Sequence, residues 1–436
     1  MNRKSLSSVL VLLAVTGSAA IAQQRPPIRQ LGAITAKSTE RVTNVVNARA
    51  LSNGSILVND MFSRRVLMFD PQLSKFTVVA DSTGATGNAY GGRIGSLFAY
   101  RGDSSIFADP TSVSMLIIDP AGKIARVVAI PRAEDANAIG SPAGNASFDP
   151  AGRIVYRSTG LRFGGGAGGR TIIGGGTPGA APRFPDPPDS AFVLRVDLAT
   201  RKVDTVGVIR TPKIKFNMTT DDRGGMNLSS MINPLPTVDD WTVTPDGAIA
   251  FVRGRDYHVD WVNPDGTKVS AAKIPFDWKR LTEEDKIAFI DSVKAARERQ
   301  GPNAPGIAGV LGGGGAPSVQ INIQGGPAGG GGAGPRPAAP QATFAFIPPN
   351  ELPDYQPPFF AGSVRADNDG NVWVRTIPTA AIAGGPVYDV INRKGELVDR
   401  VQIPVGRSII GFGANGSVYL LNRDGATATL ERASIK

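Results

Sequence analysis

Polar turns and alternating apolar strands recur along most of this chain. In the first unit, the turn Ser52-Asn53-Gly54 precedes an apolar strand at 55–58, and in a later unit Asp367–Gly370 precedes a strand at 371–374. Glycine, Asn and Asp supply the positive φ angles that tight hairpin turns require, and apolar residues at every second position suit a strand with one packed face. The pattern therefore predicts antiparallel β-hairpins over most of the chain.

Six such units are visible, and their spacing predicts the architecture. Uninterrupted units are about 46–50 residues apart, which is enough for a meander of four strands. Their first turns contain Gly54, Gly102, Gly152, Gly247, Gly370 and Gly416. A single meander cannot bury both of its faces, whereas a ring of meanders can. We therefore predict an all-β fold, a six-bladed β-propeller of four-stranded antiparallel blades.

The two ends of the chain are expected to close the ring. The sixth unit stops after its third strand, while an apolar segment near Ile28 to Ile34 has no unit of its own. We predict that this segment supplies the fourth strand of blade six. The alternatives are a frayed N-terminus with an open last blade, and a seventh blade within residues 210–240, which lack the turn signature.

Two insertions break the repeat. A Gly/Pro-rich stretch at 160–190 separates the second and third strands of blade three, and residues 278–360 separate blades four and five. Residues 281–300 have a helical pattern, and residues 301–343 are mostly Gly, Pro and Ala, which predicts disorder. Strand order predicts that both insertions emerge on one face of the ring, here called the top.

The predicted helix has a recognisable start and one apolar face. Thr282 can cap it, with Asp285 three residues later, and Phe289, Ile290, Val293 and Ala296 share one side, with Ile287 at the edge of that side. Two roles remain open, a lid over the central channel or a surface appendage packed against blades four and five.

The N-terminal residues are typical of a Sec-type signal peptide. Arg3 and Lys4 precede an apolar run at 9–15, and Ala20-Ile21-Ala22 forms a small-residue cleavage signal. We expect a signal peptide at 1–22, cleaved after Ala22, and one propeller domain at 23–436. The alternative is an uncleaved membrane anchor. The prediction is a periplasmic or secreted monomer with no membrane span in its mature form.

Composition narrows the chemistry and the partners. The chain has no cysteine, which excludes disulfides and thiolate metal sites, and its one histidine excludes sites that need several imidazoles. The net charge of +10 falls to about +8 without the signal peptide and favours anionic partners. Nucleic acid is not expected, because the chain is exported and lacks a lysine-rich, aromatic-interleaved patch.

Arginine recurs near the end of the second strand in several blades. Ring symmetry would bring these positions around one funnel, where guanidinium groups could bind carboxylate, sulfate or phosphate. The candidate ligand-binding residues are Arg64, Arg157, Arg253, Arg255, Arg375 and Arg423. The alternative is that they are solvated or paired with Asp60, Asp109 and Asp256 at strand ends.

Other polar residues are weaker candidates for chemistry. His258, beside Asp256 and Tyr257, is interpreted as a strand-edge residue rather than a general base. The recurring acids Asp246, Asp265, Asp367 and Asp369 are interpreted as turn residues rather than metal ligands. No catalytic residue, metal ligand or cofactor-binding residue is assigned from the sequence.

The repeated turns, notably Asp367–Val374 with the preceding Tyr355–Phe360, resemble those of six-bladed TolB-like or NHL-repeat-like propellers of exported bacterial proteins. The resemblance covers nearly all of residues 28–436. Within such propellers, the gluconolactonase-like branch holds a divalent metal through a Glu, Asn and Asp set. That set has no residue-by-residue match in this sequence, so neither the metal nor the lactonase activity is carried over.

The sequence thus favours a non-enzymatic exported scaffold. It would bind a protein, a peptide or an anionic small molecule or glycan through its top face, and it would need no cofactor. The alternative is a metal-dependent hydrolase or lyase that acts on a sugar or lactone in the central channel, with Ca²⁺ or Zn²⁺.

Overall fold

The computed structural model describes residues 25–83, 90–92, 95–141, 145–158, 188–220, 226–300, 343–380 and 382–435. The N-terminal strands are β1 (Ile28–Gln30) and β2 (Ile34–Lys37). Blade 1 contains β3 (Ala48–Ala50), β4 (Ile56–Asp60), β5 (Arg65–Phe69) and β6 (Phe76–Asp81). Blade 2 contains β7 (Ser96–Ala99), β8 (Ser105–Asp109), β9 (Ser114–Ile118) and β10 (Ile124–Ala129). Blade 3 contains β11 (Ser147–Phe148), β12 (Arg153–Arg157), β13 (Ser190–Asp197) and β14 (Val203–Arg210).

A hairpin of β15 (Ile214–Thr220) and β16 (Met226–Ile232) then separates blades 3 and 4. Blade 4 contains β17 (Asp240–Val243), β18 (Ile249–Arg253), β19 (His258–Val262) and β20 (Lys268–Ser270). The strand β21 (Thr343–Phe346) precedes blade 5, which contains β22 (Phe359–Ala366), β23 (Val372–Thr376), β24 (Val387–Ile391) and β25 (Leu397–Gln402). Blade 6 contains β26 (Arg407–Phe412), β27 (Ser417–Asp424) and β28 (Thr427–Ser434). The helices are α1 (Ala136–Gly140) and α2 (Glu283–Gln300), and short 3-10 turns lie at Arg101–Asp103, Ala133–Asp135 and Pro349–Glu351.

The predicted six-bladed, all-β propeller is confirmed. Each of the six blades is built of antiparallel strands that run in chain order from the innermost strand outward, and N-terminal strands are added at the outer edges of blades 5 and 6. Six clusters of buried apolar side chains lie between successive blades, and the last of them joins blade 6 to blade 1. Each sheet therefore buries both faces against its neighbours, which is the physical reason for the ring.

The ring closes through the N-terminal segment, with a shift from the predicted position. The outermost strand of blade 6 is β2, which pairs antiparallel with β28. The preceding strand β1 instead pairs parallel with β25 and adds a fifth strand to blade 5. The segment near Ile28 to Ile34 is thus divided between two blades, because the chain turns at Leu31 and Gly32 between their edges.

Blades 3, 4 and 5 carry an additional unit, which we call the appendage: β15, β16, β21, α2 and the turn at Pro349–Glu351. Its sheet has three strands, and β21 pairs parallel with β16, so it is not a seventh meander blade. Its small core consists of Leu235, Ile290, Ile347 and Leu352, with partly buried neighbours including Met231, Phe289, Phe360 and Ile377. The helix is thereby anchored to the hairpin and to blade 5.

The helix matches its sequence pattern closely. Thr282 and Asp285 bond reciprocally, because the Asp285 amide donates to the Thr282 hydroxyl at 3.2 Å and the Thr282 amide donates to the carboxylate at 3.1 Å. Ile290 and Val293 are buried, whereas Ile287 is exposed. Residues 1–24, 159–187 and 301–342 lie outside the described residues, so the predictions of a signal peptide, of the first insertion and of disorder fall there. Within the described part of the chain, no helix is both long and apolar enough to cross a membrane.

Candidate functional site

The strand order defines two faces of the ring. Second strands end, and innermost strands begin, at the top face, whereas the hairpin turns of the repeat lie at the bottom. The repeated acids bond within those bottom turns, as when Asp367 accepts hydrogen bonds from the amides of Asp369 at 3.0 Å and Asn371 at 2.8 Å. Asp246 and Asp265 similarly accept from the amides of Ala248 and Thr267. These contacts are those of turn residues.

The end of the second strand differs in charge from blade to blade. In blade 1 it is Asp60, which accepts hydrogen bonds from the amides of Thr43 at 2.9 Å and Asn44 at 3.2 Å. In blade 2 it is Asp109, which accepts from the amides of Gly91 and Thr111. These carboxylates tie down neighbouring top loops. Blades 3 and 4 have an arginine at the same position.

Arg253 in blade 4 makes structural contacts with two carboxylates and an aromatic ring. Its guanidinium bonds to Asp239 at 2.9 Å and to Asp260 at 2.7 Å, and it lies over the ring of Phe251. His258 lies in the same cluster, with its two ring nitrogens 2.9 Å from Asp256 and 3.2 Å from Asp260. The histidine therefore sits at a strand edge between two carboxylates.

The other predicted arginines do not gather around one point. Arg64 donates to the carbonyl of Tyr90, and the exposed Arg423 donates to Asn44 at 2.8 Å. Arg255 is exposed in the turn after β18, and Arg375 is half-buried and interacts with other groups. The predicted ligand-binding arginines therefore lie on several blades and have different partners. Among them, Arg157 is the one whose charge interacts with the buried carboxyl group of Asp240.

The channel carboxylate is Asp240, the first residue of β17. Successive residues of a strand point to opposite sides, so Asp239 reaches Arg253 while Asp240 is directed to neighbouring blades. Its Oδ1 accepts from Asn145 Nδ2 at 2.8 Å and its Oδ2 accepts from the amide of Val364 at 3.0 Å. Asp240 is 5% exposed and links blades 3, 4 and 5.

Burial controls the charge of this carboxyl group. It raises the pKa of Asp240 from 3.8 to about 6, although backbone donors and the charge of Arg157 act in the opposite direction. A carboxyl group with this pKa changes its protonation near neutral pH. Asn145 holds it from a backbone φ of 51°, a left-handed conformation that Asn tolerates better than most residues.

A second arginine, Arg365, reaches past a neighbouring blade. It lies on β22 in blade 5, and its Nη2 donates at 3.2 Å to the carbonyl of Val46, two residues before β3 of blade 1. Because blade 6 lies between those blades in the ring, the contact passes blade 6 on the side of the central channel. Burial lowers the pKa of Arg365, and the charges of Tyr388 and Asp240 oppose this effect.

We call Asn145, Arg157, Asp240 and Arg365 the channel site. Burial also lowers the pKa of Arg157, with the charge of Asp240 opposing it, and among the described residues no group bonds to the Arg157 guanidinium. Two desolvated cations thus share one carboxyl group whose own ionisation is disfavoured. Such a set favours an added anion.

The described channel-site residues fit a divalent cation poorly. They offer one carboxyl and one amide oxygen, and the two guanidinium groups would repel the ion. Within the described residues, no group of three or more His, Cys, Asp or Glu side chains is arranged so that it could hold a metal ion. The expectation that the protein needs no cofactor stays a prediction.

Sequence reasoning missed three of these four residues. Asp240 and Arg365 lie on innermost strands, and whether such residues face the channel depends on the closure of the ring. The available signal was a charged residue within a short apolar strand, as in the sequence Ser363-Val364-Arg365-Ala366.

Comparisons with known proteins give only distant likenesses. No protein-family model and no curated protein matches the chain. Among solved structures, it is similar to a gluconolactonase from Xanthomonas campestris, with 11% identity, a TM-score of 0.40 and coverage of 94% of this chain and 99% of that one. It is also similar to a calcium-binding regucalcin from Agrobacterium tumefaciens, with 10% identity, a TM-score of 0.39 and coverage of 94% of this chain and 98% of that one.

A virginiamycin B lyase from Staphylococcus aureus gives 10% identity, a TM-score of 0.38 and coverage of 92% of this chain and 98% of that one. All three are propeller-type proteins. At such low identities and TM-scores, these likenesses carry no argument about activity. The narrower resemblance to TolB-like or NHL-repeat-like propellers stays a prediction.

Proposed function

We propose that this protein is an exported binding propeller that takes an anionic small molecule, bearing a carboxylate or phosphate group, at the top of its central channel. The observation that carries the proposal is the pairing of two desolvated arginines, Arg157 and Arg365, with one carboxyl group that burial keeps largely neutral below about pH 6. An anionic ligand would supply the negative charge that pairs with these guanidinium groups.

Two features of the top face also support the proposal. Arg157 ends β12 immediately before the insertion of blade 3, and the appendage lies beside blade 5 on the same face. A ligand bound there would contact blades 1, 3, 4 and 5 at once. The proposal includes no catalytic step and no metal.

The test is a calorimetric titration with gluconate, glucuronate and inorganic phosphate. Replacing Arg157 or Arg365 by Gln should weaken binding about ten- to a hundred-fold, because each removes a charge-assisted hydrogen bond. The matched control is Arg255→Gln, which removes the same charge from an exposed turn in blade 4. Equal affinity in all three variants would overturn the proposal.

Binding should also depend on pH in a defined direction. Protonation of Asp240 removes the negative charge that competes with the ligand, so affinity for gluconate should rise several-fold as pH falls from 7.5 to 5. Asp240→Asn should bind with little pH dependence over this range. Affinity that falls with falling pH in the unmodified protein would contradict this assignment.

One observation favours a second candidate function, a hydrolase or lyase that acts in the same channel. A carboxyl group with a pKa near 6 is suited to general acid or base catalysis near neutral pH, with the arginines holding an anionic substrate. An assay of lactone and uronic-acid substrates tests this candidate. Turnover that Asp240→Asn abolishes, while gluconate binding persists, would favour the enzyme.

A further inference from the structure

A separate pocket lies between blades 4 and 5 at the top face. It has a volume of about 110 Å³. One wall is Phe276 and Asp277, which follow blade 4, and the opposite wall is the loop between β23 and β24, which includes Ile377 and Thr379. Arg25 and Arg400 complete the lining. None of these residues belongs to the channel site.

Both guanidinium groups retain unused hydrogen-bonding capacity. Arg400 donates from Nε to Asp389 at 3.3 Å, and no described residue accepts a hydrogen bond from its two terminal nitrogens. Arg25 pairs with Asp277, yet its own Nε is buried without a hydrogen-bond partner. A buried donor without a partner is costly, so a ligand that accepts from it would relieve this cost.

The groups behind the pocket hold Arg400 in place. Asp389 is 0% exposed, and its second oxygen accepts from the hydroxyl group of Tyr257 at 3.0 Å. Tyr257 is fully buried and packs edge-on against Phe276, with ring centroids 5.6 Å apart. Both carboxylate oxygens of Asp389 are therefore occupied, and the Arg400 fork is pre-organised for a second anion.

Apolar side chains make up part of the remaining lining, beside Asp277, Thr376 and Thr379. Phe276, Ile377, Pro378, Ala380 and Ile382 supply hydrocarbon surface beside the two guanidinium groups. A bare inorganic anion would leave this surface uncovered, whereas a carboxylate on a short apolar group would contact both parts. The small volume excludes a large ligand.

We propose that this pocket binds a carboxylate carried by a short branched or linear apolar group. Arg400 and Arg25 contact the carboxylate, and the loop between β23 and β24 covers the apolar part. The chemistry has two sources, a free short-chain organic acid or the C-terminal residue of a peptide with an apolar side chain. The pocket is independent of the channel site and of its proposed ligand.

The experiment is calorimetric titration of the full mature chain with isobutyrate, with N-acetylvaline and with N-acetylvaline amide. Saturable binding of isobutyrate is expected, and Arg25→Gln should weaken it about ten-fold. Ala380→Phe should also abolish it by filling the pocket without a change in charge. The matched control, Arg126→Gln, removes a charge from an exposed strand of blade 2 and should retain the affinity.

Each further outcome decides between alternatives. Tight binding of N-acetylvaline but not of its amide identifies a peptide C-terminus as the source, and binding of isobutyrate alone identifies a free acid. Equal binding of the acid and the amide would overturn the proposal, as would the absence of saturable binding to all three probes. Arg157→Gln should leave isobutyrate binding unchanged, which separates this pocket from the channel site.

Arg400→Gln is a less suitable first variant, because it leaves Asp389 buried with only Tyr257 as a partner. Its thermal unfolding must therefore be compared with that of Arg25→Gln. Loss of isobutyrate binding in a folded Arg400→Gln protein would support the proposal, and retained affinity would contradict the role given to this guanidinium.

Discussion

Blades 3 and 4 end their second strands with the same residue type in opposite surroundings. Arg253 in blade 4 lies between Asp239 and Asp260, and despite opposing burial its hydrogen bonds and these two negative charges raise its pKa. Arg157 in blade 3 bonds to no described group, and burial lowers its pKa. The first arginine therefore stabilises the fold, while the second is the one to which the proposed function assigns a ligand.

The carboxyl groups near these two arginines also differ in burial and in the direction of their pKa shifts. Asp260 is 29% exposed in its side chain, and although partial burial opposes the change, bonds from Ser270 and Arg253 lower its pKa. Asp240 is buried, and burial raises its pKa to about 6. Desolvation thus decides the direction of the pKa shift of Asp240 in the channel. At the strand edge, hydrogen bonds and ion pairing together decide the direction of the pKa shift of Asp260.

The largest expected effect concerns the pH dependence of stability set by Asp240. Its folded pKa of about 6 exceeds the ordinary 3.8, so its stabilisation is fully present below about pH 4 and is lost as pH rises through about 6. A shift of about two units corresponds to about 3 kcal/mol. Urea unfolding should show that the unmodified protein loses this much more unfolding free energy between pH 4 and 7 than Asp240→Asn does. Parallel pH profiles would refute the assignment.

A smaller effect is expected on the free energy of unfolding when Arg253 or Arg157 is replaced. Arg253→Gln should lower the free energy of unfolding by about 2 kcal/mol, because it leaves two partly buried carboxylates without their cation. Arg157→Gln should change it by less than about 0.5 kcal/mol. The measurement is chemical denaturation at pH 7 for both variants. Equal destabilisation would remove the distinction between blades 3 and 4.

The smallest effect is that of Asp260 on the acid side. Its folded pKa lies below the unfolded value, so its stabilisation is present above about pH 4 and is lost as pH falls. Because the group is partly exposed, the change should stay below about 1 kcal/mol. Denaturation of Asp260→Asn between pH 3 and 5 should show a shallower loss of stability than the unmodified protein. An effect of the opposite sign would contradict the pairing with Arg253.

The repeat made the propeller predictable, whereas the channel site depended on packing. Turn glycines such as Gly370, with a φ of 82°, encode hairpins locally, so blade number follows from the sequence pattern. The helix start at Thr282 is equally local. The proximity of Arg365 to Val46, or of Asp240 to Val364, exists only once separate blades meet in the ring. No local pattern reports such a contact.

The predicted arginine-lined funnel depends on packing in the same way. Symmetry suggested one shared funnel, but each side chain responds to the charge of its own neighbours. Arg253 meets two carboxylates of blade 4, while Arg423 meets Asn44 across the join of blades 6 and 1. Equivalent backbone positions therefore do not give equivalent side-chain environments.

Closure of blade 6 by β2 has a consequence for how the protein folds. The sheet unites residues near both ends of the described chain, and the contact of Thr35 with Arg432 spans 397 positions. Five blades can form from sequence-local hairpins, but this last pairing requires nearly the whole chain to be present and loosely collapsed. We expect ring closure to be the slow step in folding, so that a partly synthesised chain stays open.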